Sequence, residues 1–338
     1  TRGYYQHPNT GFYLGGGMPM PPLPPVFEAE VRNEMASGKS VMFDLQNANG
    51  SIFDVNGAAP TTLYLMNPIG RDYTFKGTGT TGTGQLIKSM QGKVTFSCDL
   101  GHTGKNLISE GTLEVNGQIA GPVELRARGT LSGNATLKDT ITFEGALNYE
   151  GCRLMPTSVI TSKKNVVIPG NVYIEVSAAE GQCGKLMVEG DLTFKTTNYI
   201  TVSLANQEAT SYVIAECTGT LTCDVTKLKT RGLEGVNYDL VVEDNKLLLV
   251  INETREPQGN VVWTGAESAT WNFKAKNFAT DTPTAFVSGD AVVFNAEGLK
   301  KTITVPEMMV IGGVTFDSGT YTLSGDGGPS GAGDLTVH

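Results

Sequence analysis

The chain has 338 residues, of which 42 are glycine, and its formal net charge at pH 7 is −9. This acidic balance excludes a general binder of nucleic acid or of an anionic membrane surface, because both kinds of binder need a basic face. No apolar run approaches the ~18 residues that a membrane-spanning helix needs, so we expect no membrane-spanning segment.

Residues 1–39 are predicted to form a leader, rich in proline and glycine, that ends in a short capping helix. Consecutive prolines in Met18–Pro25 favour a stiff polyproline II spacer, and a polyproline ligand for a partner domain is the alternative. The helix is predicted over Val26–Ser37, between Pro25 and Gly38, where it would cover the first coil of a solenoid. A helix that binds a partner is the alternative.

From Ser40 onward, short β-prone runs alternate with glycine, asparagine and aspartate. In Gly111–Gly117 and Gly121–Gly129, apolar and polar residues alternate with period two, which places one face of each run inward. One such run cannot bury enough surface alone, but runs stacked on one another can. We therefore predict an all-β fold, a right-handed parallel β-helix or solenoid, with residues 40–255 as one solenoid unit.

Residues 256–338 are predicted to start a second β-strand repeat unit, because two earlier motifs recur there in the same order. Ser37–Phe43 is similar to Ser288–Phe294, and Tyr73–Gly79 is similar to Tyr321–Gly327, at an offset of about 250 residues. The chain is thus expected to hold one full unit and part of another.

Several short motifs together carry a resemblance to a known family. They are Tyr73–Gly79 leading to Leu86–Lys88; Ile108–Gly117 with Gly129–Leu137; Gly184–Leu192 with Tyr238–Val242 and Lys246–Val250; and Trp263–Gly265, Trp271–Asn272, Asn277–Phe278 and Gly289–Asp290. In these motifs and their order the chain resembles the autotransporter-associated, passenger-type β-strand repeats of bacterial surface proteins. The resemblance implies a right-handed parallel β-helix that is secreted or exposed on the outer surface of a Gram-negative bacterium. The sequence departs from the family at Glu110, where the usual motif has glycine.

Parallel β-helices also form polysaccharide lyases and glycoside hydrolases, which bring carboxylates and basic groups together in one groove. The nearest grouping here is Glu114 and Glu124 with Arg126 and Arg128, which we interpret as charge pairs on a solvated face. His102 follows an aspartate and suggests a general base, but we interpret it as a loop histidine without a catalytic role. We therefore expect no catalytic residue, no metal site and no cofactor.

The cysteines are Cys98, Cys152, Cys183, Cys217 and Cys223. Their odd number, without a Cys-x-x-Cys pair, speaks against a zinc site. We interpret them as small buried apolar side chains. A disulfide between Cys217 and Cys223 across a local hairpin stays open as the alternative.

Trp263 and Trp271 are the two tryptophans of the chain, and Phe273 and Phe278 follow closely. Such aromatic side chains commonly cap a hydrophobic core where the chain enters a new unit. The alternative is a platform on which sugar rings stack, and Trp263, Trp271 and Phe273 would then be the glycan-binding residues.

The leading functional hypothesis is a non-catalytic, secreted or cell-surface β-solenoid that serves as a structural or adhesive scaffold. A glycan-binding accessory domain of a large polysaccharide-degrading enzyme is one alternative, and a β-helix polysaccharide lyase or glycoside hydrolase is another. The first residues lack the features of a signal peptide, so we expect a removed signal and a longer parent protein. Expected partners are other domains of that protein, with a polysaccharide as an open alternative, and end-to-end self-association at an exposed edge.

Overall fold

The computed structural model of the protein describes residues 39–44, 47–144, 151–180, 182–205, 210–252 and 255–338. These residues form parallel sheets that stack as a β-solenoid of about 13 turns, which confirms the predicted all-β solenoid. The predicted helix at Val26–Ser37 and the rest of the leader before residue 39 lie outside the described residues. Within the described ranges, the helical element is one 3-10 turn, η1 (Val225–Lys227), and no helix there is long and apolar enough to cross a membrane.

The chain divides into two compact units. The first takes in the described residues of Thr1–Ser203, Tyr212–Thr230 and Val241–Leu248, and the second those of Leu204–Ser211, Arg231–Leu240 and Leu249–His338. The predicted repeat relation between residues 40–255 and residues 256–338 stays a prediction.

The strands of the first two thirds of the chain are short. In chain order they are β1 (Val41–Phe43), β2 (Ser51–Ala58), β3 (Thr62–Met66), β4 (Tyr73–Thr80), β5 (Gln85–Ser89), β6 (Lys93–Phe96), β7 (Asn106–Ile108), β8 (Gly111–Val115), β9 (Gln118–Ile119), β10 (Val123–Arg126), β11 (Gly129–Gly133), β12 (Thr136–Leu137), β13 (Ile141–Glu144), β14 (Arg153–Pro156), β15 (Val159–Ser162), β16 (Val166–Ile168), β17 (Tyr173–Ala179), β18 (Gln182–Cys183), β19 (Lys185–Val188), β20 (Leu192–Phe194), β21 (Asn198–Leu204), β22 (Thr210–Cys217), β23 (Leu221–Thr222) and β24 (Leu228–Arg231).

The later strands follow the same pattern. They are β25 (Tyr238–Glu243), β26 (Lys246–Ile251), β27 (Val261–Trp263), β28 (Phe278–Ala279), β29 (Pro283–Thr284), β30 (Ala291–Phe294), β31 (Thr302–Thr304), β32 (Met308–Val310), β33 (Gly313–Phe316), β34 (Thr322–Ser324), β35 (Gly328–Ser330) and β36 (Leu335–Val337).

In the first unit, each turn of the chain adds a strand to several parallel ladders. One ladder has the order β1-β3-β5-β7-β10-β13, and a second runs through β2-β4-β6-β8-β11-β14-β17. A third runs through β22-β19-β15-β12-β9. Parallel register aligns equivalent residues of successive turns, so that Leu113 lies opposite Leu131, and Leu131 opposite Leu154. Alternation along each strand then fills the interior with aligned apolar columns.

An aromatic column shows this alignment in the first unit. The ring centroids of Phe53 and Phe75 are 5.2 Å apart, and those of Phe75 and Phe96 are 4.6 Å apart with nearly parallel planes. All three side chains are buried. The separations match the spacing of about 4.8 Å between neighbouring strands, so the column is a direct product of the parallel register.

The second unit has a parallel run, β27-β30-β33-β36, to which β28 and β29 add antiparallel strands. Two further parallel pairs, β31-β34 and β32-β35, lie in the same unit. Its core is aromatic, with Trp263, Trp271 and Phe294 among its buried members.

Candidate functional site

The three residues predicted as a glycan platform lie in the core of the second unit. Trp263 and Trp271 are fully buried, and Phe273 is 5% exposed. Trp263 packs edge-on against Phe278 at 5.1 Å between ring centroids, and its Nε1 donates a hydrogen bond to the carbonyl oxygen of Lys300. The rings of Trp263 and Trp271 offer no face to a sugar here, because aromatic neighbours cover them. Their position is that of the leading interpretation, a hydrophobic core.

A buried ion pair lies beside this core. Asp290 is fully buried, and its two carboxylate oxygens accept hydrogen bonds from Nη1 and Nη2 of Arg255 at 2.7 and 2.6 Å. The same oxygens accept hydrogen bonds from the backbone N–H groups of Gln258 and Val287. A bidentate pair with this many partners fixes local structure. We therefore assign it a structural role.

Of the acidic and basic residues grouped in the sequence, Glu114, Glu124 and Arg126 are held in ion pairs on the outward face. Glu114 pairs with Lys93 at 2.9 Å. Glu124 pairs with Lys105 at 2.6 Å and with Arg126 at 2.7 Å. Glu114 and Glu124 belong to different sheets, β8 and β10, so they do not form a carboxylate pair on one strand face.

These ion pairs follow a common geometry. In four of them the basic residue lies on one turn, and the glutamate lies on the next turn, two positions beyond the residue directly opposite. The four pairs are Lys93–Glu114, Lys105–Glu124, Arg153–Glu175 and Lys185–Glu216, with N–O distances of 2.9, 2.6, 2.7 and 2.7 Å. The outward charges therefore connect neighbouring turns.

His102 is buried in the first unit and takes part in a polar network. Its Nδ1 is 2.7 Å from Oγ1 of Thr80, and its Nε2 is 2.9 Å from Oδ1 of Asn106. Since an amide oxygen only accepts, Nε2 carries the proton and Nδ1 accepts from the Thr80 hydroxyl. Burial lowers the pKa of His102, and the hydrogen bond with Asn106 acts in the opposite direction.

The order hydroxyl, imidazole, amide is that of a nucleophile, a base and an orienting group. All three side chains are nevertheless buried, so no substrate reaches the hydroxyl. The network links β4, the loop after β6 and the start of β7. It satisfies polar groups that the solenoid interior would otherwise leave without partners.

Lys88 has a buried amino group, a feature common in functional sites, and no motif of the sequence indicated it. It lies in an inward column between Leu65 and Ile108 and is fully buried. Its Nζ donates hydrogen bonds to the carbonyl oxygens of Ser89, Met90 and Glu110, at 2.9, 2.6 and 3.2 Å. Burial lowers the pKa of Lys88 to about 7, although the carboxylate of Glu110 raises it. The sequence does carry one signal for this position. Lys88 stands two residues after the inward Leu86, so the period-two alternation of a strand predicts that its side chain also points inward.

A polar groove lies above this lysine on the surface of the first unit. We call it the arginine groove, and its lining includes Glu110, Gly111, Thr112, Arg128, Thr130 and Arg153. Its volume is about 480 Å³. The sequence predicted a solvated charged face at Arg128 and did not indicate its proximity to Arg153.

The cysteine thiols are not activated. None of the five is in a disulfide, and Cys98, Cys152 and Cys217 are buried, whereas Cys183 and Cys223 are half-buried. Burial raises the pKa of the Cys98 thiol to about 11 and that of Cys152 to about 12. Such thiols stay protonated at neutral pH and are weak nucleophiles.

No cluster of three or more histidine, cysteine, aspartate or glutamate side chains that would hold a metal ion occurs in the part of the chain that the structure describes. No protein-family model matches the chain, and no curated protein matches it. The similarity to autotransporter-associated repeats therefore rests on the motifs of the sequence, and the β-solenoid is the level at which the structure supports it.

Proposed function

We propose that this chain is a non-catalytic structural β-solenoid of a secreted or cell-surface bacterial protein. The observation that carries the proposal is the set of ion pairs between successive turns, such as Lys93–Glu114 and Lys185–Glu216. In each of these pairs, both charged side chains are engaged with one another along the stack. The resemblance to autotransporter-associated repeats supplies the expectation of surface exposure.

The placement of the most perturbed titratable groups supports the same conclusion. Catalytic acids and bases combine a shifted pKa with access to a cleft. Lys88 and His102 have lowered pKa values, but both are sealed in the interior. Lys88 donates hydrogen bonds to backbone carbonyl oxygens, and His102 is hydrogen-bonded to buried side chains. These contacts contribute to the stability of the fold.

The absence of catalysis has a direct test. The purified chain would be incubated with a panel of acidic and neutral polysaccharides at several pH values and with calcium. We expect no rise in reducing ends and no unsaturated product absorbing in the ultraviolet. Turnover that survives repeated purification and is lost on heat denaturation would contradict the proposal.

Surface exposure needs a separate test in the source bacterium. Intact cells would be treated with a protease that does not enter them, and peptides of this chain would be sought by mass spectrometry among those released. We expect them in the released fraction, while a cytoplasmic enzyme measured as control stays intact. Peptides found only after lysis would contradict the surface assignment.

A further inference from the structure

The arginine groove has a floor of small residues. Gly111 adopts a φ of +72°, and a Cβ there would overlap the carbonyl oxygen of Met90 and lie 2.7 Å from Nζ of Lys88. Only glycine fits this backbone position without a shift of its neighbours. No side chain therefore projects into the groove at Gly111.

A row of side chains crosses the turns beside this floor. Thr112 lies opposite Thr130, and Thr130 lies opposite Arg153, on the adjacent strands β8, β11 and β14. Each step along the row is one strand spacing, about 4.8 Å. The groove thus presents the partly exposed Thr112 and the guanidinium of Arg153 in a line along the stack, with the largely buried Thr130 between them, and this line suits an extended ligand better than a compact one.

Arg128 stands at the side of this row on the turn between β10 and β11. Its backbone is in the left-handed region, with φ at 69°, and its carbonyl oxygen accepts a hydrogen bond from the N–H of Gly111. Its side chain is exposed and forms no hydrogen bond or ion pair with the described residues. A fixed backbone thus presents a guanidinium that is available to a ligand.

Arg153 is held in place at the end of the row. Its Nε is 2.7 Å from Glu175, and its guanidinium carbon lies 5.3 Å from the centre of the Tyr173 ring. Tyr173 in turn stacks on Tyr199 at 4.5 Å with nearly parallel planes. A guanidinium restrained by an ion pair and an aromatic stack loses little conformational freedom when it binds.

The charges of the lining favour an anion. The lining holds two guanidinium groups, of Arg128 and Arg153, and one carboxylate, that of Glu110, while Glu175 pairs with Nε of Arg153 from outside the lining. Guanidinium groups bind carboxylates and sulfates through paired hydrogen bonds. The hydroxyl of Thr112 can exchange hydrogen bonds with the hydroxyls of a sugar.

We propose that the arginine groove binds an acidic polysaccharide, with Arg128 and Arg153 on its anionic groups and Thr112 on its hydroxyls. A nucleic acid fits less well, because its affinity grows with the number of neutralised phosphates and the groove offers two guanidiniums on an acidic protein. The proposal goes beyond a structural role, since it gives the solenoid a defined ligand.

Affinity electrophoresis in native gels tests the proposal with the whole chain. The gels would contain polygalacturonate, dextran sulfate or uncharged dextran, and a fluorescent single-stranded oligonucleotide would be assayed separately. We expect retardation by polygalacturonate or dextran sulfate, which identifies the anion as carboxylate or sulfate, and none by dextran. Arg128→Gln should weaken binding about tenfold, and Glu110→Gln should strengthen it.

Arg126→Gln is the matched control, because it removes the same charge two residues away, where Arg126 pairs with Glu124 and Glu144. We expect it to leave retardation unchanged, with the fold of each variant checked by circular dichroism. Three results would overturn the proposal: no retardation by either acidic polymer, an equal loss in Arg126→Gln and Arg128→Gln, or oligonucleotide binding that Arg128→Gln abolishes. None of these results depends on product formation, so the structural proposal is tested independently.

Discussion

Lys88 stands in the interior of the first unit, at a position that adjacent turns fill with Leu65 and Ile108. The period-two phase from Leu86 predicts an inward side chain, whereas the charge of lysine predicts an outward one. The side chain points inward, as the alternation predicts, because three carbonyl oxygens replace the water that the ammonium group loses. Sequence alone did not indicate these acceptors, since they come together only after the turns stack.

The buried lysine makes stability depend on pH. The pKa of Lys88 is about 7 in the folded chain, whereas an unburied lysine, as in the unfolded chain, has a pKa of 10.5. Between these two pH values the unfolded chain therefore binds more protons than the folded chain. Stability from this group therefore rises with pH from about 7 to 10.5, with a slope of up to about 1.4 kcal/mol per pH unit. In Lys88→Met this contribution disappears, and the variant gains stability relative to the parent chain most at pH 7.

Urea unfolding of both proteins at pH 7, 8, 9 and 10, under reducing conditions, measures this difference. The cysteine thiols also titrate in this range, but they are common to both proteins and cancel in the comparison. Lys93→Met removes an exposed lysine and should run parallel to the parent chain. Parallel curves for Lys88→Met as well would show that Lys88 is charged in the folded chain throughout the range.

His102 shows the same limit of prediction at the scale of a residue. The sequence placed it in a loop, and it does follow β6, but it is buried between Thr80 and Asn106. Asn106 is visible four residues ahead in the sequence, whereas Thr80 reaches His102 only through the stacking of one turn on the next. The contact therefore depends on the length of a turn, which no local pattern encodes.

At the scale of strands, alternation predicted the inward faces and the register decided the contacts. Gly111–Gly117 and Gly121–Gly129 were recognised as β runs, and they contain β8 and β10. The predicted runs did not reveal that β8 pairs with β11 while β10 pairs with β7 and β13. Pairing depends on where the chain changes direction between the strands of one turn. Glycines such as Gly111 allow these changes of direction, because they adopt backbone conformations that other residues avoid.

The aromatic column should contribute more to stability than the outward ion pairs. Phe75 stacks between Phe53 and Phe96, and replacing it with alanine leaves a cavity in the column. We expect Phe75→Ala to lower the free energy of unfolding by about 3–5 kcal/mol. Lys93→Gln breaks one ion pair whose lysine is half exposed, and should cost under about 1 kcal/mol.

Denaturant unfolding followed by circular dichroism would measure both changes. A cost for Lys93→Gln as large as that for Phe75→Ala would mean that the outward charges, rather than the interior column, hold neighbouring turns together. Raising the salt concentration provides a second check, since it should affect only the contribution of the ion pair.

At the scale of the whole molecule, composition and periodicity predicted the solenoid. They did not predict the surroundings of the tryptophan side chains. Trp263 and Trp271 are equally compatible with a core and with a sugar platform when they are seen as residue types. Their packing against Phe278, Phe286 and Phe294 depends on how loops and strands of the second unit fold together. The arginine groove also required the stack, because Arg128 and Arg153 come from different turns.

The second unit ends its parallel run with exposed apolar side chains. Val314 is buried, but its partner on β36, Leu335, is 70% exposed, and Val337, opposite Phe316, is 69% exposed. β36 stands at the end of the strand order of its sheet, and such an edge favours association with another strand. We expect the sedimentation coefficient of this chain to rise with protein concentration.

The double variant Leu335→Lys/Val337→Lys should abolish that rise, because charged side chains protect an edge. Leu299→Lys is the control, since Leu299 is 72% exposed in the same unit but lies outside the strands. A parent chain that stays monomeric at all concentrations, or a control that is equally effective, would rule out association through β36.

The ladders of the first unit join each turn to its neighbours, as β11 is joined to β8 on one side and to β14 on the other. This arrangement has a mechanical consequence. Tension between the ends of that unit would peel turns away in sequence, because the hydrogen bonds of one strand break before the next strand is loaded. From Gly111 to Gly129, one released turn would lengthen the chain by about 60 Å, so the unit would yield in steps of one turn each.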